Sequence, residues 1–253
     1  MLEFDGYLDS VQGDAARLIE IAGFADRGAK VPSCPEWTVA DLLVHTGQVH
    51  RWVHRILTTR AQARVPWAEI PHREPAGEGL AAWFAEGAGL VVAALRDAGP
   101  DAVAWGWAGE DTGAWWARRM AQETLVHRLD GELAIGQLTA VPPELAVDNI
   151  DELLHNALSP VARAYPRRGL LADAAPLHLH ATDVTGGEWT LYGDGERWLR
   201  WETGHAKGEA AVRGTAQQLL LWLNKRLPEG DPGPEVFGDS AVAALWREGL
   251  TLD

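Results

Sequence analysis

Apolar residues recur at helical spacing through the first half of the chain and change to alternation in the last third. Phe4, Tyr7, Leu8, Val11, Leu18, Ile19 and Ala22 recur at the spacing of a first helix. Val31–Trp37 (VPSCPEW), with two prolines, reads as an irregular connector. Thr38 then fits an N-cap with Asp41 three residues on, opening a second helix that runs to about Leu57. The stretch 64–79 holds Pro66, Pro71 and Pro75 and reads as a loop. Leu80, Trp83, Phe84, Val91 and Leu95 mark a third helix, stopped by Gly99-Pro100. After a Trp-rich loop, a fourth helix spans about 113–135 and ends before Gly136. A fifth, Val147–Ala164, is disturbed at its end by Pro160 and links the two halves.

The period then falls to two. Residues 177–182 (LHLHAT), 188–192 (EWTLY) and 197–202 (RWLRWE) predict strands, with a fourth over Gly208–Val212. Helices follow over Thr215–Leu227 and Ser240–Gly249. The fold class expected is α+β in two domains. An antiparallel four-helix bundle covers 1–167 and a small α+β domain covers 168–253, with the boundary near 165–172. No strand is expected before residue 140.

Composition narrows the function. The chain has 253 residues, 47% hydrophobic and 23% charged, ordinary for a globular protein. No run of eighteen apolar residues suggests a membrane span, and the acidic start does not resemble a signal peptide. A net charge of −14 argues against a nucleic-acid partner, because that footprint is basic. The single cysteine, Cys34, rules out an internal disulfide and fits a reducing cytoplasm. It reads either as a nucleophile near a helix start or as a small packed residue. Thirteen Trp against four Phe and three Tyr is an unusual bias, suited to core and to pocket walls.

Three side chains carry the candidate chemistry. His45 shares the apolar stripe of the second helix with Leu42, Val49, Trp52 and Ile56. Glu123 and His127 lie one turn apart in the fourth helix, on the face of Trp116 and Met120. A carboxylate and an imidazole so spaced are often only a polar pair. Facing inward, they can bind a divalent metal if a neighbouring helix adds a third ligand, and His45 is the best-placed residue. Asp130 could orient one of the ligands. His50 and His54 fall roughly 140° and 180° from His45 and are expected to face solvent. His178 and His180 share one strand face, as metal ligands or as polar residues on its wet side. Dinucleotide, P-loop, GxSxG and HExxH motifs are absent.

The segments VPSCPEWTVADLLVHTGQVHRW (31–52) and WWARRMAQETLVHRLDGEL (115–133) resemble the mycothiol-dependent maleylpyruvate isomerase family, within the DinB-like superfamily. AVRGTAQQLLLWLNKR (211–226) is similar to that family's small C-terminal domain. The resemblance implies a bundle holding zinc, or another divalent ion, through His45, Glu123 and His127. It implies a low-molecular-weight thiol, mycothiol, as cosubstrate, and Arg226 as the holder of an anionic group. Relatives often carry His where this chain has Gln122, which puts the substrate in question. The expected function is a metal-dependent thiol isomerase or S-transferase acting on a small electrophilic, anionic substrate. A non-catalytic binding protein and a hydrolase using bound water are the alternatives. A monomer or homodimer is expected.

Overall fold

The computed structural model describes residues 2–72, 77–159, 166–195 and 198–250, with backbone alone for 166–168. Pro75, the expected helix end at Pro160–Ala164 and Arg197 lie outside the described residues. Two compact units divide the chain, Leu2–Thr139 and Ala140–Asp253.

The first unit is helical: α1 (Phe4–Phe24), α2 (Val39–Thr59), α3 (Leu80–Ala98) and α4 (Gly113–Ala134). α1 and α2 each pack on both α3 and α4, so α1 lies diagonally across from α2. α1 buries Tyr7, Leu8, Val11, Leu18 and Ala22 of the stripe read from the sequence, together with Ala15 and Ile21, while Phe4 and Ile19 are only partly buried. Thr38 caps α2 in a full capping box with Asp41. α2 approaches α3 closely. A Cβ on Gly47 would stand 2.6 Å from the Trp83 ring, and one on Gly87 would overlap the Arg51 guanidinium.

Trp52, Trp115 and Trp116 are buried in this core. Trp52 stacks on Trp67 and meets Trp105 and Trp116 edge-on, while its indole N–H donates to the Val65 carbonyl at 2.9 Å. The segment expected as a bare connector forms a hairpin, β1 (Lys30–Val31) with β2 (Cys34–Thr38). These are strands before residue 140, contrary to expectation. Period-two patterning cannot register so short a ribbon. Pro35 is tolerated because a two-stranded ribbon is all edge.

The second unit begins with α5 (Pro143–Ala157). α5 packs on α6 (Ala216–Leu223) and α7 (Ser240–Leu250), so its apolar face is completed there. The division therefore falls between Thr139 and Ala140, earlier than the expected 167/168. The mixed sheet runs β5-β4-β3-β6-β7, from β3 (Leu177–Ala181), β4 (Glu188–Asp194), β5 (Trp198–Thr203), β6 (Ala210–Gly214) and β7 (Glu235–Gly238). Only β3–β6 is parallel. β7 was not read from the sequence, because it is four exposed residues without an apolar face. No helix of the described residues is long and apolar enough to cross a membrane.

Candidate metal centre in the helical unit

The cap at Thr38 fixes where α2 starts and so which way His45 points. The Thr38 hydroxyl accepts from the Asp41 N–H at 3.2 Å, and the Asp41 carboxylate accepts from the Thr38 N–H at 2.9 Å. From α2, His45 Nε2 reaches to 3.5 Å of Glu123 Oε1 on α4. His127 Nε2, one turn along α4, lies 3.2 Å from the same oxygen. The three ligand atoms fall within 4.8 Å of one another. Trp37 of β2 packs over both rings, 4.6 Å from His45 and 6.0 Å from His127, which are themselves 5.0 Å apart edge-on.

Two side chains aim the ligands. Asp130, fully buried, stands 2.9 Å from His127 Nδ1 and also accepts from the Ser33 hydroxyl. That bond places the Nδ1 proton and leaves the Nε2 lone pair facing Glu123. Arg119 donates to Glu123 Oε2 at 2.7 Å, so Oε1 alone faces the histidines. Sequence reading missed Arg119, although its place four residues before Glu123 was the available signal.

A lone pair facing a carboxylate oxygen at 3.2 Å needs a cation between them. In the metal-free chain a proton serves. Burial would lower the His127 pKa, but the bonds from Asp130 and Glu123 outweigh it and push it up to about 9. Burial likewise works to raise Glu123, yet His127, His45 and Arg119 hold it well below the usual carboxylate range. A divalent ion would satisfy the same atoms. Ligand atoms around tetrahedral zinc stand roughly 3.3 Å apart, given Zn–N and Zn–O near 2.0–2.1 Å. The 3.2 and 3.5 Å separations match. The residues present fit the ion.

Other sequence candidates fall elsewhere. Cys34 sits part-buried on β2 against an apolar cluster, as a small packed residue would. Gln122 is fully buried in α4. Arg226 belongs to the C-terminal unit, where its Nη1 donates to the Asn224 carbonyl at 2.6 Å. His178 and His180, on β3, meet Glu188 and His205.

His50 contradicts its expectation. It is fully buried, 5.8 Å from the Phe84 ring of α3, because α2 is covered by α3 as well as α4 and has no single wet face. His54 is half-buried. The Thr124 hydroxyl donates to the Met120 carbonyl at 2.7 Å, so His50 Nε2 must be the donor to Thr124 Oγ1 at 2.9 Å. Nδ1 is left buried and without a partner. Protonation there would bury an unmet charge, and burial pushes the pKa down to about 4 from 6.5. The unfolded chain therefore takes up this proton first, and stability is lost as pH falls from about 6.5 to about 4. The stability difference between the native chain and His50→Leu should shrink by about 2 kcal/mol between pH 7 and pH 5. Urea unfolding at both values measures it, and parallel profiles would contradict the assignment.

Comparison with known proteins places this geometry. Residues 8–131 match the mycothiol maleylpyruvate isomerase N-terminal domain, and residues 144–245 match the MDMPI C-terminal domain. No curated protein matches the chain in sequence. The chain is similar to the crystal structure of a mycothiol-dependent maleylpyruvate isomerase at TM-score 0.59 and 12% identity. It is similar to a histidine-to-alanine mutant of such an enzyme at 0.60 and 11%. Each comparison covers 93% of both chains, which shows a shared fold. With one domain model on either side of the division between its units, the chain belongs to the mycothiol-dependent maleylpyruvate isomerase family.

Proposed function

We propose that the chain is a thiol-dependent isomerase whose helical unit holds a divalent ion, zinc the expected one, through His45, Glu123 and His127. The observation that carries the ion is the convergence of two imidazole Nε2 atoms on one carboxylate oxygen whose neighbour is occupied by Arg119. Family membership supports an enzyme of the isomerase class. When bound, such an ion lowers the pKa of a coordinated thiol, so that thiolate is available near neutral pH.

The chain's own residues prepare the site. Asp130 holds the His127 tautomer, Arg119 holds the Glu123 carboxylate, and Trp37 screens the two rings. The cosubstrate is mycothiol or a thiol like it, and the substrate is a small conjugated acid. Thiolate sulfur adds to one carbon of the double bond and the electron pair moves onto the conjugated carbonyl. The resulting single bond rotates, and expulsion of the same thiolate restores the double bond in the other geometry. Arg226 is proposed to hold the substrate carboxylate, for which a guanidinium is bidentate. Arg226→Ala should raise KM for an anionic substrate and leave metal affinity unchanged.

The test is a screen of zinc-loaded protein against α,β-unsaturated dicarboxylates such as maleylpyruvate, with and without mycothiol. Turnover should require the thiol, vanish on chelation and return with zinc. Full turnover without thiol would overturn the thiol-dependent reading, and a hydrolysed product would replace it with a hydrolase that uses bound water.

A further inference from the structure

A second cluster of metal-ligating side chains stands in the C-terminal unit. β3 and β4 pair antiparallel with His180 opposite Glu188 and His178 opposite Thr190. Alternation puts all four on one face of the sheet. β5 pairs along β4 and ends at Thr203. Gly204 follows with a left-handed φ of +97° and donates its N–H to the Glu188 carbonyl at 3.0 Å. That turn returns His205 to the Glu188 side chain.

Three imidazoles thus surround one carboxylate. His205 Nδ1 lies 3.0 Å and His178 Nε2 3.3 Å from Glu188 Oε2, and His180 Nε2 lies 3.8 Å from Oε1. The ligand atoms of His178, Glu188 and His205 fall within 4.8 Å of one another. The His178 and His205 rings are 5.1 Å apart, edge to face.

His178 decides between two explanations. A solvated hydrogen-bond cluster accounts for His205, which is 79% exposed, and for His180. It does not account for His178, only 5% exposed. Its Nδ1 meets the Thr190 hydroxyl at 3.2 Å. Its Nε2 is buried and makes no hydrogen bond, with Glu188 Oε2 3.3 Å away. A buried polar atom left so is unfavourable, and a cation between it and the carboxylate removes the deficit.

We propose that His178, Glu188 and His205 form a second divalent transition-metal site, with zinc the expected ion. Two imidazoles and a carboxylate are a zinc donor set, and the 3.0 and 3.3 Å separations suit ligands spaced roughly 3.3 Å around a tetrahedral ion. Exposed His205 moves its proton to Nε2 to coordinate through Nδ1. Three protein ligands leave a position open toward solvent. The ion ties the segment after β5 to the β3–β4 pair. The site shares no residue with the bundle centre and does not rest on the thiol reading.

Zinc titration of the chelator-stripped full chain tests it, by calorimetry and by the absorption bands of cobalt(II) as substitute. The native chain should bind two equivalents, His205→Ala one, and His178→Gln one. Because His205 is exposed, its replacement does not threaten the fold. His127→Ala should keep one equivalent, and the His127→Ala/His205→Ala pair should keep none. Overturning results are zinc binding by His205→Ala equal to that of the native chain, or a His127→Ala chain that binds none. Loss of an equivalent in His205→Ala but not in His127→Ala would uphold this site and overturn the bundle centre instead.

Discussion

His127→Ala, made in a His205→Ala chain so that only the bundle centre is read, is expected to lose zinc at stoichiometric concentrations. His127 supplies one of three ligand atoms and is the one whose direction is fixed by another buried side chain. Removing an outer partner of a ligand costs roughly 10- to 100-fold in affinity, and removing the ligand itself costs more. Asp130→Ala, which leaves all three ligands, should therefore fall within that 10- to 100-fold range. Metal analysis after gel filtration and a competition titration measure both. Equal zinc affinity in His205→Ala and His127→Ala/His205→Ala protein would remove the assignment.

Glu132→Ala is expected to destabilise the helical unit by about 3–5 kcal/mol. The Glu132 side chain is wholly buried, and four groups donate to it. Arg128 Nη1 does so at 2.9 Å, Arg17 Nε at 3.1 Å, and the Thr139 N–H and hydroxyl at 3.0 and 2.8 Å. The Arg128 side chain is 5% exposed, with Asp14 3.0 Å from its Nε as its remaining carboxylate. That carboxylate is a weak substitute, since it approaches Nε without a hydrogen bond, whereas Glu132 holds Nη1. Alanine at 132 would leave a buried guanidinium short of counter-charge and remove the carboxylate that accepts from the Thr139 N–H. Glu132→Gln keeps acceptor and volume and should cost less. Urea unfolding at pH 7 reads the difference, and a change under about 1 kcal/mol for Glu132→Ala would show that the network contributes little.

These two residues also mark how far the sequence could be read. The stripe of α1 and the capping box at Thr38 were legible because both are set by local spacing, and the one-turn spacing of Glu123 and His127 put them on one side of α4, where His45 comes within reach. α4 has no single apolar face. It buries Arg128, Asp130 and Glu132 together with Trp116 and Leu125. Periodicity therefore could not separate the ion-pair network from a wet surface. His50 was misplaced for the same reason on α2, whose second covered side came from α3. Ser33 acts through a contact that spacing does not encode, from the β1–β2 turn, whereas Arg119 was signalled by its place four residues before Glu123. In the C-terminal unit the alternation of His178 and His180 was visible. Their meeting with Glu188 and His205 depends on strand register and on the turn at Gly204.

X-ray absorption at the zinc edge, on His205→Ala protein loaded with one equivalent, tests the thiol-dependent metal centre most directly. Without thiol, the first shell should contain only nitrogen and oxygen at about 2.0–2.1 Å. On addition of mycothiol a sulfur scatterer should appear at about 2.3 Å. A first shell that stays nitrogen and oxygen at saturating mycothiol would contradict the proposed role of the site.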